Sequence, residues 1–130
     1  MSLQKEEIGA SSAFGRLLGL RIVRVENGEA EVHMSMKDEL RNLHGKLHGG
    51  ALFSLIDTTL GQASHSLTEG IPKSVTLECK INYIRPVTEG ELSCIAKVLH
   101  AGRKTQVLEA RVEQNGKLVA LAQSTFAVIA

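Results

Sequence analysis

The chain has little from which to build an aromatic pocket. Its 130 residues include no tryptophan, one tyrosine and three phenylalanines, so a ligand cavity must be walled mainly by aliphatic side chains. Only two prolines are present, which leaves no room for proline-rich linkers. The two cysteines, Cys79 and Cys94, lie in strand-like runs without metal-ligand spacing and read as reduced core residues. Charge of one sign is not in excess, with 15 basic residues against 14 acidic. That balance removes the electrostatic footprint of a nucleic-acid binder, and no like-charge run suggests a membrane surface. There is no apolar run of membrane-spanning length and no charged-then-apolar leader. These absences predict a cytoplasmic protein without nucleic acid or membrane among its partners. The length predicts a single domain over residues 1–130, with a core of modest size.

What is present is patterned. Residues 8–18 carry apolar positions at helical spacing among glycines and predict a short helix. A strand over 20–25 follows, with Leu20, Ile22 and Val23 inward, and Asn27-Gly28 predicts a tight hairpin. Ala30, Val32, Met34 and Met36 then alternate with Glu31, His33, Ser35 and Lys37, the pattern of a strand with one wet face. After a polar segment, a helix opened by Gly49-Gly50 is predicted, apolar from Ala51 to Leu67 and ending near Gly70 and Pro72. Leu77, Cys79, Ile81 and Tyr83 alternate with Glu78, Lys80 and Asn82 until Arg85-Pro86 breaks the ladder. Further strands are predicted over 90–100, 105–114 and 118–129, the last two joined by Asn115-Gly116. The tally is α+β: an antiparallel sheet of five or six strands with one helix to cover its apolar face.

The densest information lies in Leu47-His48-Gly49-Gly50-Ala51-Leu52-Phe53-Ser54-Leu55-Ile56-Asp57. A glycine pair opens a helix that is apolar on most sides, which predicts burial on most sides. A lone carboxylate, Asp57, sits two turns inside it. Burying such a group costs several kcal/mol or shifts its pKa, so its presence points to a use. The competing structural reading puts Asp57 on the wetter side of the helix with a solvent or backbone partner.

Asn42, five residues, His48-Gly49-Gly50, six residues and Asp57, followed by Thr76 and the corner Tyr83-Ile84-Arg85-Pro86, resemble the acyl-coenzyme A thioesterases of the phenylacetate-pathway type. The resemblance spans nearly the whole chain from Phe14 onward. It implies the hotdog fold, a curled antiparallel sheet wrapped around one long central helix. It also implies that Asp57 is the catalytic carboxylate and Gly49 the backbone donor to the thioester oxygen. Asn42 and His48 would be supporting polar residues, and Thr76 a hydroxyl that orients water. A related branch carries glutamate where this chain has Asp57, which points away from hydroxybenzoyl and dihydroxynaphthoyl substrates. The acyl group itself, aryl-acetyl or medium- to long-chain, is not specified.

The chemistry fits these residue types. A helix N-terminus offers free N–H groups and the positive end of a dipole, and glycines let a substrate oxygen approach. Asp57 can attack the thioester or act as general base on water. Thr76 shares strand parity with Glu78 and Lys80, the solvent face, so it reaches the site only if it precedes the ladder or sits at a bulge. Gly49 and Asp57 are eight residues apart, about 12 Å along one helix. One thioester cannot meet both on the same helix, so the spacing predicts active sites shared across a homodimer, alone or within a dimer of dimers. Asp57 shares its helical face with Gly50, Ser54, Gly61 and Ser64, small enough for a second helix to pack.

Coenzyme A is here substrate, and no cofactor is expected. Its phosphates call for cations, and Arg85, Arg103 and Lys104 at strand ends are the candidates. No metal is expected either: His44 and His48 have i, i+4 spacing, but Gly45 argues against a helix there and a third ligand is missing. Ser54 lacks the glycines of a nucleophile elbow. Two alternatives remain open, a hotdog dehydratase or hydratase and a non-catalytic acyl-coenzyme A binder. The first needs a histidine–carboxylate pair that the segment around Asp57 lacks. The second usually adds a DNA-binding segment, for which 130 residues leave no room.

Overall fold

The computed structural model describes residues 12–129. A helix α1 (Ala13–Leu18) is followed by β1 (Arg21–Glu26), β2 (Glu29–Ser35), the long helix α2 (Gly49–His65), β3 (Ser74–Tyr83), β4 (Glu91–Ala101), β5 (Thr105–Gln114) and β6 (Lys117–Val128). The strands form one antiparallel sheet in the order β1-β2-β4-β5-β6-β3. It curls around α2 in the α+β hotdog arrangement that the resemblance implies.

Local chemistry sets the ends of these elements. Ser12 caps α1 by accepting from the Gly15 N–H, and Gly19 ends it at φ 76°. Residues 8–11 of the expected helix lie outside the described residues. Asn27 and Gly28, at φ 51° and 80°, form the left-handed pair that a two-residue hairpin needs. Asn115 and Gly116 repeat it at 52° and 77°. The long helix begins at Gly49, with the glycine pair expected to open it. It passes at His65 into a 3₁₀ turn, Ser66–Thr68, and the Gly70 N–H closes on the His65 carbonyl.

The core lies between α2 and the concave face of the sheet. Leu55, Ile56 and Leu60 of the helix are fully buried together with Met34, Leu92, Leu108, Val112 and Phe126 from the strands. Burying each such side chain contributes about 1.5–3 kcal/mol. Ala30, Ala96, Ala110 and Ala122 fall opposite one another across β2, β4, β5 and β6 and are all buried. This row of small side chains makes a trough in the sheet, where bulkier residues would hold the helix off.

Three expectations change. The β1 ladder shifts register between Ile22 and Arg24, so Val25 rather than Val23 joins Leu20 and Ile22 inside. The long helix is buried on one side only: Gly49, Gly50, Phe53, Ser54, Asp57, Thr58, Gly61 and Gln62 remain outside its buried face. Ser64 turns inward instead of joining the Asp57 face. At 1% exposure, its hydroxyl donates to Gln106 Oε1 and accepts from Ser74 Oγ. A glutamine oxygen only accepts, which fixes the direction of both bonds.

Ser64→Ala strands the Gln106 oxygen and the Ser74 hydroxyl in that buried cluster. It should cost about 1–3 kcal/mol in chemical denaturation, whereas Gln62→Ala on the open face should stay within about 0.5 kcal/mol.

Candidate active site

The start of α2 is braced before it begins. Arg41 ties the approaching loop down by donating to Asp38, Glu89 and the carbonyls of Gly45 and Thr88. Leu47 and His48 donate their N–H groups to the Val87 and Leu40 carbonyls. Asn42 closes this loop on itself: its side-chain oxygen accepts from the N–H groups of His44 and Lys46 at 2.8 and 3.1 Å. That leaves only its side-chain amide free for other work. Nothing in the sequence singled out Arg41, because two of its four acceptors, Thr88 and Glu89, come from a segment more than forty residues away.

His48 is the N-cap of α2, and its Nδ1 accepts from the Gly50 N–H at 2.8 Å. A neutral ring bonded this way carries its proton on Nε2. Ala51 and Leu52 donate to the His48 carbonyl. The Gly49 N–H of the same turn has no acceptor among the described residues, and it lies exposed at the positive end of the helix.

The two glycines have different reasons. A Cβ on Gly50 would lie 3.0 Å from His48 Nδ1, so glycine is what lets the cap ring fold over. A Cβ on Gly49 would meet only the ring of Tyr83, at 3.8–4.0 Å, an ordinary contact. The fold therefore tolerates a side chain at 49. Tyr83, Ile84, Arg85, Pro86 and Val87 join Leu47, Gly49 and Leu52 around a cavity of about 200 Å³ at this helix end. Tyr83 has no role among the expected site residues; its signals are its place in the Tyr83-Ile84-Arg85-Pro86 corner and its being the only tyrosine.

Two turns along, Asp57 is half-buried and accepts from Thr76 Oγ1 at 3.0 Å. The parity objection to Thr76 is resolved by a bulge. Thr76 pairs with Phe126 and Glu78 with Thr125, so Leu77 is the extra residue. Ahead of the bulge Ser74 and Thr76 face the helix, and after it Cys79 and Ile81 do. Cys79 stands close to Asp57, and burial first, then the Asp57 and Glu78 charges, raise its pKa. Burial, above all, pushes the Cys94 thiol up to about 12. Both thiols are free and protonated at neutral pH, so neither supplies a thiolate nucleophile.

The chain thus brings Asp57 to Thr76, and Gly49 to His48 and Arg85, but leaves the two groups separate. The three expected cations are separated as well. Arg85 lines the cavity beside Gly49. Arg103 and Lys104 lie in the β4–β5 turn, where the Lys104 carbonyl accepts from Val128, which pairs with Ser74. Ser74 and Tyr83 are opposite ends of β3, about 30 Å apart. His44 is exposed in the loop, and no cluster of three or more metal-ligating side chains occurs among the described residues. No described helix is long and apolar enough to cross a membrane.

Residues 44–121 match the family model of the thioesterase superfamily. Acyl-coenzyme A thioesterase PaaI of Escherichia coli K12 is 36% identical over 113 residues, covering 85% of this chain and 79% of that protein. The 1,4-dihydroxy-2-naphthoyl-CoA hydrolase of the same organism is 29% identical over 113 residues, covering 86% and 83%. Among solved structures, the conserved protein PA5202 from Pseudomonas aeruginosa superposes with a TM-score of 0.86 at 55% identity, covering 91% of this chain and 94% of that one.

The differing roles of the glycines are measurable in thermal or chemical unfolding. Gly49→Ala should be at least as stable as the native protein, since alanine favours the helix. Gly50→Ala displaces the His48 cap and should be about 1 kcal/mol less stable than Gly49→Ala. The reverse order would contradict the roles assigned to the two positions.

Proposed function

The chain belongs to the thioesterase superfamily, and we propose that it hydrolyses an acyl-coenzyme A to the free acid and coenzyme A at sites shared between two copies of the chain. The observation that carries this reading is the unpartnered N–H of Gly49 at the mouth of a cavity, on the same helix as Asp57, to which Thr76 of β3 donates. The likeness to PaaI and to the naphthoyl-coenzyme A hydrolase supports the substrate class. Asp57 in place of glutamate favours the PaaI-like kind.

In the proposed reaction the thioester oxygen takes the Gly49 N–H of one copy, and the helix dipole stabilises the developing oxyanion. Asp57 of the other copy acts on the carbonyl carbon through water. Thr76 gives its own proton to Asp57 Oδ1, so its lone pairs remain to accept a hydrogen from that water. Asp57 removes the water proton as hydroxide adds to carbon; the C–S bond then breaks and coenzyme A departs as thiolate. Direct attack by Asp57, giving an anhydride that water opens, uses the same residues. It differs in that water opening the anhydride at the Asp57 carbonyl leaves solvent ¹⁸O on Asp57 after a single turnover.

Three features support the pairing of chains. Gly61 has no atom within 4 Å of where a Cβ would stand, yet glycine inside a helix costs about 1 kcal/mol relative to alanine. A second helix crossing at Gly50, Ser54 and Gly61 accounts for it. The edge strand β3 runs ten residues with Val75 and Leu77 exposed, and such an edge is ordinarily covered. An antiparallel partner also brings its own Arg103 and Lys104 toward the Gly49 end, where Arg85 already lies. The three cations can then serve one set of phosphates, which a single chain does not permit.

Purified protein assayed against an acyl-coenzyme A panel, with free thiol as the readout, should release coenzyme A. Asp57→Asn should lower turnover by at least ~100-fold with the fold intact. A loss below about tenfold would place the chemistry elsewhere.

A further inference from the structure

Gly49 is unexplained by the fold, and what stands opposite it is specific. Its φ is not in the left-handed region, and a side chain there would only touch Tyr83. The gap between the two is a slot that glycine keeps open. Tyr83 is held loosely across it. The residue is 54% exposed, and its hydroxyl donates to the Gly49 carbonyl at 3.4 Å, longer than an ordinary O–H···O bond of about 2.5–3.0 Å. A phenol so poorly engaged is a donor available to a ligand.

The walls indicate which ligand part passes. Leu47, Leu52, Pro86 and Val87 make the cavity apolar, and its polar groups are the Gly49 backbone, the phenol and the Arg85 guanidinium. The N–H and C=O of one helical residue point in opposite directions along the axis. The phenol, bonded at the C=O side, therefore stands beyond the oxygen that the N–H would take, offset from it by roughly the span of a few bonds of the thiol arm. Arg85 lines the same cavity, and of a coenzyme A thioester only the thiol side carries phosphates. The first amide of that arm stands two methylenes from the sulfur.

We propose that Tyr83 positions the thiol arm of the substrate, its hydroxyl donating to the carbonyl of the amide nearest the sulfur while its ring walls the slot opposite Gly49. This rests on the thioesterase reading above. Tyr83 acts in binding and takes no part in proton transfer.

The test compares native protein with Tyr83→Phe and Tyr83→Ala on three thioesters of one acyl group. These are the coenzyme A ester, the N-acetylcysteamine ester, which keeps the first amide, and the S-ethyl ester, which has none. Tyr83→Phe should raise KM about three- to tenfold for the first two, the worth of one neutral hydrogen bond, with kcat and the S-ethyl reaction unchanged. Tyr83→Ala, which also removes the wall, should raise KM for all three. Equal effects of Tyr83→Phe on all three esters, no effect on any, or a fall in kcat at constant KM would overturn the role of Tyr83. Native protein inactive on every ester would instead overturn the thioesterase reading, and this one with it. Unchanged thermal unfolding of Tyr83→Phe separates these results from misfolding.

Discussion

Seventeen residues of helix, Gly49–His65, lie in a trough of alanines, and a helix packed on one side cannot shorten or bend to suit a substrate. The Gly49 N–H and the Asp57 carboxylate therefore stay about 12 Å apart. Much of the architecture reads as a consequence of that fixed distance. The face of α2 away from the sheet carries Gly50, Ser54, Asp57 and Gly61, which leave room for another backbone. The edge strand next to it is the one that carries Thr76. On the proposed reading a single copy supplies two half-sites, each held by its own local structure.

Each half is built by a different device. At the helix start the work is done by hydrogen bonds: His48 satisfies Gly50, its carbonyl satisfies Ala51 and Leu52, and one N–H remains. Arg41 and Asn42 hold the loop that delivers this cap. At Asp57 the device is a slip of register. Without the extra residue Leu77, the parity that puts Cys79 and Ile81 inside would turn Thr76 toward solvent. The bulge gives both, and bulges re-aim side chains in this way at functional sites.

The regular part of the fold was legible because alternation, Asn-Gly turns and an apolar helix opened by glycines each have a local physical cause. β5 falls on the residues expected, and β2 buries Ala30, Val32 and Met34 as its pattern implies. Register slips have no such marker: nothing about Val23 or Leu77 as residue types announces an extra residue. The inward turn of Ser64 depends on Ser74 and Gln106, neither its neighbour in sequence. The separation of Arg85 from Arg103 and Lys104 is one of strand direction: β3 and β4 run opposite ways, so the corner after β3 and the turn after β4 lie at opposite ends of the sheet. Tyr83 faces the empty side of Gly49 across 34 residues of sequence, a contact without a local marker.

The division of one site between two copies is tested most directly by mixing two damaged proteins. Gly49→Pro deletes the free N–H with little harm to the helix, because proline suits the first helical position and His48 already has the extended backbone (ψ 135°) that a following proline requires. Gly49→Pro and Asp57→Asn should each be nearly inactive alone. After subunit exchange at equal amounts, half the dimers are mixed and each holds one intact site, so about a quarter of native activity should return. Activity that stays at background, with exchange verified by differently tagged chains, would contradict a shared site.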